Sequence, residues 1–239
     1  MPRFFVDNIA ECAEISGADA NHIAQSLRMK IGEEVTLCDR NGYDYHCVIE
    51  EFTENSVFCK VLDKCLSKSE PSIKLTLFQA MPKLDKLETI IQKSVELGVS
   101  RIVPVLTSRC VSRPDEKSFA KKLERYQKIS LEAAKQSGRG IIPEISGIIT
   151  LQKAFNEMIL SDIPLICYEG GGKKFKEIGL AEGKSVSLII GSEGGFDAKE
   201  VENAVSMGIT PIWLGDRILR CETAPLAAIS IIMNLTNNM

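Results

Sequence analysis

Leu188-Ile189-Ile190 runs straight into Gly191-Ser192-Glu193-Gly194-Gly195. An apolar run without a polar face reads as a strand buried on both sides, as in a parallel sheet covered by helices. Three glycines within five residues at its end remove the side chains that would keep a ligand off bare backbone. Asp197 and Glu200 then form a capping box that opens a helix, and Gly208 can close it. A glycine-rich turn so placed lies at the carboxyl end of a strand, where open α/β sheets bind ligands.

Everything after residue 72 shares this rhythm. Strands are expected over 73–80, 101–106, 164–168, 186–190 and 211–214. A helix over 84–97 carries Leu84, Leu87, Ile91 and Val95 on one face, with Gly98 as its cap, and a second spans 118–136. Before residue 70 the pattern is β: strands over 35–38 and 43–49 flank the turn signal Asn41-Gly42, another alternates over 56–62, and a short helix is expected over 21–29. These features suggest a small barrel. A polar stretch over 66–72, ending in Pro71-Ser72, reads as a linker. The expectation is a first domain over 1–70 and a second over 71–239.

Several function classes lose support. No run approaches the ~18 apolar residues needed to span a bilayer, the longest stretch covering 224–233. The opening Met-Pro-Arg-Phe-Phe-Val has no signal-peptide character, so a cytoplasmic location is expected. Eight cysteines contain no C-x-x-C pair, and both histidines, His22 and His46, lie early. Metal, disulfide and Ser-His-Asp schemes are therefore poorly supported, and the cysteines read as buried free thiols. No P-loop motif occurs. Net charge is −3, yet residues 109–139 hold nine basic side chains against four acidic ones. That segment is either a phosphate-binding stripe or a solvated helix face.

Two further strand ends stand out. One is Tyr168-Glu169-Gly170-Gly171-Gly172, by itself a flexible loop. The other runs Trp213-Leu214-Gly215-Asp216-Arg217-Ile218-Leu219-Arg220-Cys221-Glu222-Thr223-Ala224-Pro225. Pro225 suits the first turn of a helix, and Glu222 and Thr223 sit at its positive end. Arg220 and Glu222 are candidates for charge chemistry, or for a structural pair with each other. The helix that follows, with Leu226, Ala227, Ile229, Ile231, Ile232, Met233 and Leu235, shows no solvent face and belongs inside the domain or a dimer.

The pairing of G-S-E-G-G-F with L-G-D-R-I-L-R-C-E-T-A resembles the RsmE family of 16S ribosomal RNA uridine-N3 methyltransferases, within the SPOUT superfamily. The likeness extends through Ile91-Gln92-Lys93-Ser94-Val95-Glu96-Leu97-Gly98, Gln136-Ser137-Gly138-Arg139 and Pro143-Glu144-Ile145, and includes Pro2-Arg3-Phe4-Phe5 and the Leu27 to Gly32 stretch. Ser192, Cys221 and Leu84 depart from it, standing where the family has Pro, Thr and Gly.

The resemblance implies an α/β chain: a C-terminal SPOUT trefoil-knot domain with a mostly parallel sheet, preceded by a small PUA-like β-barrel that binds RNA, acting as a homodimer. It implies that Tyr168, Glu169, Gly191, Glu193, Gly194, Gly195, Leu214, Gly215, Ile218, Leu219, Arg220, Thr223 and Ala224 hold S-adenosylmethionine. Arg220 is expected to stabilise developing charge, and Glu222 to orient the base or accept its proton. Arg3, Arg28, Lys83, Arg109, Arg113, Lys121, Arg125 and Arg139 are expected to line one RNA path. The implied partner is 16S rRNA or the small ribosomal subunit, with no metal. Two rivals are a SPOUT enzyme for another RNA position and a non-catalytic RNA-binding assembly factor.

Overall fold

Val35, Leu37, Cys47, Ile49, Val57 and Cys59 are all buried, and they come from three strands paired edge to edge. In the computed structural model, which describes all 239 residues, the early elements are β1 (Arg3–Phe5), β2 (Cys12–Ser16), α1 (Gly17–Asn21), β3 (Glu34–Cys38), β4 (Tyr43–Phe52) and β5 (Ser56–Leu66). The strands form one sheet in the order β1-β3-β4-β5-β2, with β1 parallel to β3 and the other pairs antiparallel. Register shifts at His46/Cys47 and Ile49/Glu51 bend it, since an extra residue in one strand increases local twist. The end strands β1 and β2 do not pair with each other, so the sheet curls without closing into the expected barrel.

Two local expectations shift. The β3–β4 loop is Asp39-Arg40-Asn41-Gly42, with positive φ at Arg40 and Gly42. The Asp39 carboxylate secures it by accepting from the Asn41 and Tyr43 amides at 2.8 and 3.2 Å. The expected helix over 21–29 begins instead at Gly17 and continues through a π turn, His22–Ser26. It stops where Arg28 takes a left-handed φ of 53°, a place usually filled by glycine.

The later elements are β6 (Lys74–Ala80), α2 (Lys86–Glu96), β7 (Arg101–Leu106), α3 (Glu116–Gln136), β8 (Glu144–Ile145), β9 (Ile149–Thr150), α4 (Leu151–Met158), β10 (Ile163–Cys167), β11 (Ser185–Ile190), α5 (Ala198–Ser206), β12 (Thr210–Ile212) and α6 (Thr223–Leu235). Their strands pair in parallel in the order β12-β10-β11-β6-β7-β8, with β9 also on β7. Leu165, Leu188, Leu75 and Ile102 are each fully buried on neighbouring strands. Because all run the same way, β10, β11 and β12 present their carboxyl ends on one side. The capping box at α5 is present, Asp197 N donating to Glu200 Oε2 at 2.9 Å. Helix α4 was not anticipated, although Leu151, Ala154, Phe155 and Met158 have helical spacing and Thr150 caps it.

The chain divides into Met1–Glu70 with Ala134–Ile142, and Pro71–Ala133 with Pro143–Met239. The split at 70/71 therefore misassigns Ala134–Ile142. That segment joins the first unit through a 2.7 Å ion pair from Arg139 to Glu70 and a 2.9 Å pair from Lys135 to Asp19. Five of the eight cysteines are buried free thiols, but Cys12 is exposed and Cys65 and Cys167 are half-buried. Helix α6 buries Ala228, Ile229, Ile232 and Met233, yet Leu226, Ala227, Ile231 and Leu235 retain partial exposure. It thus has an apolar outer stripe, not the fully enclosed surface its composition suggests. No helix is long and apolar enough to cross a membrane.

Candidate active site

The three strand ends singled out in the sequence meet at one cavity of about 510 Å³. After β10 come Tyr168 and Glu169; after β11, Gly191, Ser192, Glu193, Gly195 and Phe196; after β12, the continuous run from Trp213 to Cys221, with Ala224. Of the expected cofactor residues, Gly194 and Thr223 do not line it. Gly194 faces Arg109, whose guanidinium donates to its carbonyl at 2.9 Å, and Thr223 is exposed at the start of α6.

The glycine-rich turn needs its glycines for different reasons. A Cβ on Gly191 would lie 3.0 Å from the Gly195 Cα, so this residue lets the turn fold on itself. Gly195 has φ +64°, and a Cβ there would stand 2.5 Å from Glu169 Oε1. The Glu169 carboxylate thus reaches across from the β10 loop. Gly215 sits at φ +106°, where any side chain strains the backbone. Gln79, fully buried at the end of β6, donates to the Gly191 carbonyl at 3.3 Å. Ser192 Oγ donates to the Arg109 carbonyl at 3.3 Å, a bond that a proline, as the resemblance implies for this position, could not make.

Arg220 and Glu222 do not pair. Arg220 is exposed and no side-chain partner engages its guanidinium. Glu222 is held by a residue that the sequence reading missed: Lys86, the first residue of α2, whose Nζ lies 3.2 Å from Glu222 Oε2 and 3.0 Å from Glu193 Oε1. Lys86 also lines the cavity. Its hydrogen bonds to Glu193 and then Glu222 raise its pKa. Burial alone would raise the Glu222 carboxyl, but the Cys221 thiol, its own backbone N–H and Lys86 together hold it below the ordinary value. Glu193 is likewise lowered, its own backbone N–H, the Lys83 amide and Lys86 outweighing burial. Cys221 is pushed up to about 12, chiefly by burial and then by Glu222. It stays a thiol and donates to Glu222 Oε2 at 3.2 Å.

The residues expected to touch RNA separate into three groups. Arg3 and Arg139 are committed to internal pairs. Arg3 grips Asp44 with two bonds of 2.6 and 2.8 Å, and Arg139 is 2% exposed against Glu70. Arg139 is buried and Arg3 half-buried, and both guanidiniums are engaged by carboxylates instead of being free for phosphate, which corrects both assignments. Arg109, Arg113 and Arg125 are exposed but tethered, to Gly194 O, Thr107 O and Glu88. Arg28, Lys83 and Lys121 are exposed, with uncommitted side chains.

Residues 68–233 match the family model "RNA methyltransferase domain", and residues 15–62 match "RNA methyltransferase PUA domain". The Bacillus subtilis ribosomal RNA small subunit methyltransferase E is 34% identical, over 97% of this chain and 96% of its own length. The crystal structure of the same-named protein from Neisseria gonorrhoeae, bound to S-adenosyl methionine, superposes with a TM-score of 0.88 at 31% identity, covering 99% and 98% of the two chains. A Legionella pneumophila methyltransferase in complex with SAM gives a TM-score of 0.85 at 31% identity, covering 98% and 97%.

Proposed function

The chain belongs to the RNA methyltransferase family, and from that premise we propose that it transfers a methyl group from S-adenosylmethionine to N3 of a uridine in 16S rRNA. The observation carrying this reading is the convergence of the three strand-end loops on one cavity beside an unpaired arginine and a held carboxylate.

The cavity suits the cofactor. Its volume lies within the range of small-molecule sites. Ile190, Phe196, Leu214 and Leu219 offer apolar walls, while the Glu169 carboxylate can accept from hydroxyls. S-adenosylmethionine, when bound, supplies a methyl group on a positively charged sulfur. The protein's own contribution is to the base. Uridine becomes a nucleophile at N3 when the imide proton leaves, and the resulting charge spreads onto two carbonyl oxygens. The free guanidinium of Arg220 is suited to stabilise those oxygens. Glu222, held in place by Lys86 and Cys221, is the carboxylate suited to orient the imide or take its proton.

RNA contact is assigned to Arg28 in the first unit and to Lys83 and Lys121 in the second, with Arg109, Arg113 and Arg125 able to exchange their present partners for phosphate. An rRNA substrate goes with a cytoplasmic location. We assign the second unit to the trefoil-knot class on its resemblance to the SPOUT superfamily, with which its parallel sheet agrees. The partly exposed apolar stripe of α6, and Ile218 at 87% exposure beside the cavity, favour a homodimer that covers them; a monomer mass by light scattering at working concentration would contradict that. For the activity itself, calorimetry should detect S-adenosylmethionine binding, and methyl transfer to small subunits from cells lacking the gene should follow. No cofactor binding would favour a non-catalytic RNA-binding assembly factor.

A further inference from the structure

Lys86 joins three segments far apart in sequence: the start of α2, the glycine-rich turn through Glu193, and the start of α6 through Glu222. One ammonium between two carboxylates satisfies both only if all three segments keep their places. Its reach extends to Cys221 Sγ at 3.8 Å, and the Cys221 thiol binds the same Glu222 oxygen that Lys86 binds. The carboxylate is thereby held by Lys86, by Cys221 and by its own backbone N–H. The pairing has a second effect. Arg220 lies two residues from Glu222, and an arginine so near a free carboxylate would tend to pair with it. Lys86 offsets the charge of that carboxylate, and Arg220 is exposed with no ion-pair partner.

We propose that Lys86 is a positioning residue for methyl transfer: it aims Glu222 and keeps Arg220 available for the anionic base. This rests on reading Glu222 as the group that orients the imide or receives its proton. The charged and titratable groups around Glu222 are Lys86 on α2, Glu193 on the glycine-rich turn, and Cys221 in its own loop. With the ammonium gone, the pull that keeps Glu222 ionised weakens. The Glu222 carboxyl then holds its proton to higher pH, and the acid limb of the rate profile moves up with it.

The test compares Lys86→Met, Lys86→Arg and Glu222→Gln as full-length protein, using small subunits from cells lacking the gene as substrate. Lys86 is a half-buried residue in the first turn of its helix, so the variants should fold, and melting curves check this. Lys86→Met should lower kcat by about 10- to 100-fold, the scale of a misplaced catalytic group. Its S-adenosylmethionine affinity should change by less than about threefold, well under that loss. The acid limb of kcat/KM should shift upward, and Lys86→Arg should return it toward the wild-type position. A wild-type kcat and acid limb in Lys86→Met, with Glu222→Gln inactive, overturns the role of Lys86 alone. Equal losses in both lysine variants with an unmoved acid limb also overturn it, since the lysine would then be only a brace. A fully active Glu222→Gln removes the reading of Glu222 on which the proposal stands.

Discussion

The Lys86 ammonium stands 3.2 Å from Glu222 Oε2, while Arg220, in the same loop as Glu222, has no ion-pair partner. Of the four charged groups at this corner of the cavity, Lys86 holds the carboxylates of Glu193 and Glu222, and the Arg220 guanidinium is free. Arg220→Ala should accordingly leave stability within about 0.5 kcal/mol of wild type, as for an unpaired surface residue. It should lower kcat by about 10²–10³, the scale of one lost donor to a developing anion. Single-turnover transfer of a labelled methyl group measures the second effect, and urea denaturation the first.

The same corner gives the fold a pH dependence of known sign. Glu193 and Glu222 are held below their ordinary value of 4.5 in the folded chain. Groups lowered by folding contribute stability above their unfolded pKa and lose it as pH falls through the folded one. Wild type should therefore melt above Lys86→Met at neutral pH, and the gap should close as pH drops below the ordinary carboxylate range. Melting curves across that window check the sign.

Gly191→Val should abolish S-adenosylmethionine binding. The added side chain would meet the Gly195 backbone at its first carbon, so the turn must open to admit it. Calorimetry showing normal affinity in this variant would place the cofactor elsewhere.

Leu84 is 89% exposed and sits at φ 56°. It packs little and carries left-handed strain of about 1–2 kcal/mol. Leu84→Gly should raise stability by about 0.5–1 kcal/mol after the extra freedom of glycine in the unfolded chain is set against that strain. Chemical denaturation would show it as a higher midpoint.

Lys83 and Lys121 have exposed, uncommitted side chains. A double alanine variant should flatten the log–log dependence of RNA affinity on salt by roughly one unit per lost phosphate contact. Its S-adenosylmethionine affinity should stay the same. Removing Glu70 should act differently. Arg139 is buried against it and the Gly140 and Ile141 amides also donate to it, so Glu70→Ala should cost about 1–3 kcal/mol by leaving buried donors without their carboxylate, with no salt signature specific to RNA.

Much of this molecule is legible in its sequence because its signals are local. The glycine-rich turn, the Asp197–Glu200 capping box and the apolar run at 188–190 each act within a few residues, and they appear where expected. The three cavity loops could be picked out because glycine and charge are concentrated at strand ends. Lys86 was invisible because nothing near it in sequence marks it; only the pairing of β6 with β11 brings the start of α2 beside Glu193. Arg139 misled for the opposite reason. A basic residue in a basic segment reads as surface, yet its partner, Glu70, comes from the linker. Charge composition cannot distinguish a guanidinium facing solvent from one closing a buried pair.

The central claim is a methyl group on N3 of one small-subunit uridine, placed there with Arg220 and Glu222. Mass mapping of 16S rRNA from cells lacking the gene tests it most directly. A single uridine should lose its methyl group, the wild-type gene should restore it, and the gene carrying Arg220→Ala together with Glu222→Gln should not. An unchanged set of modified nucleotides in the deletion strain would contradict it.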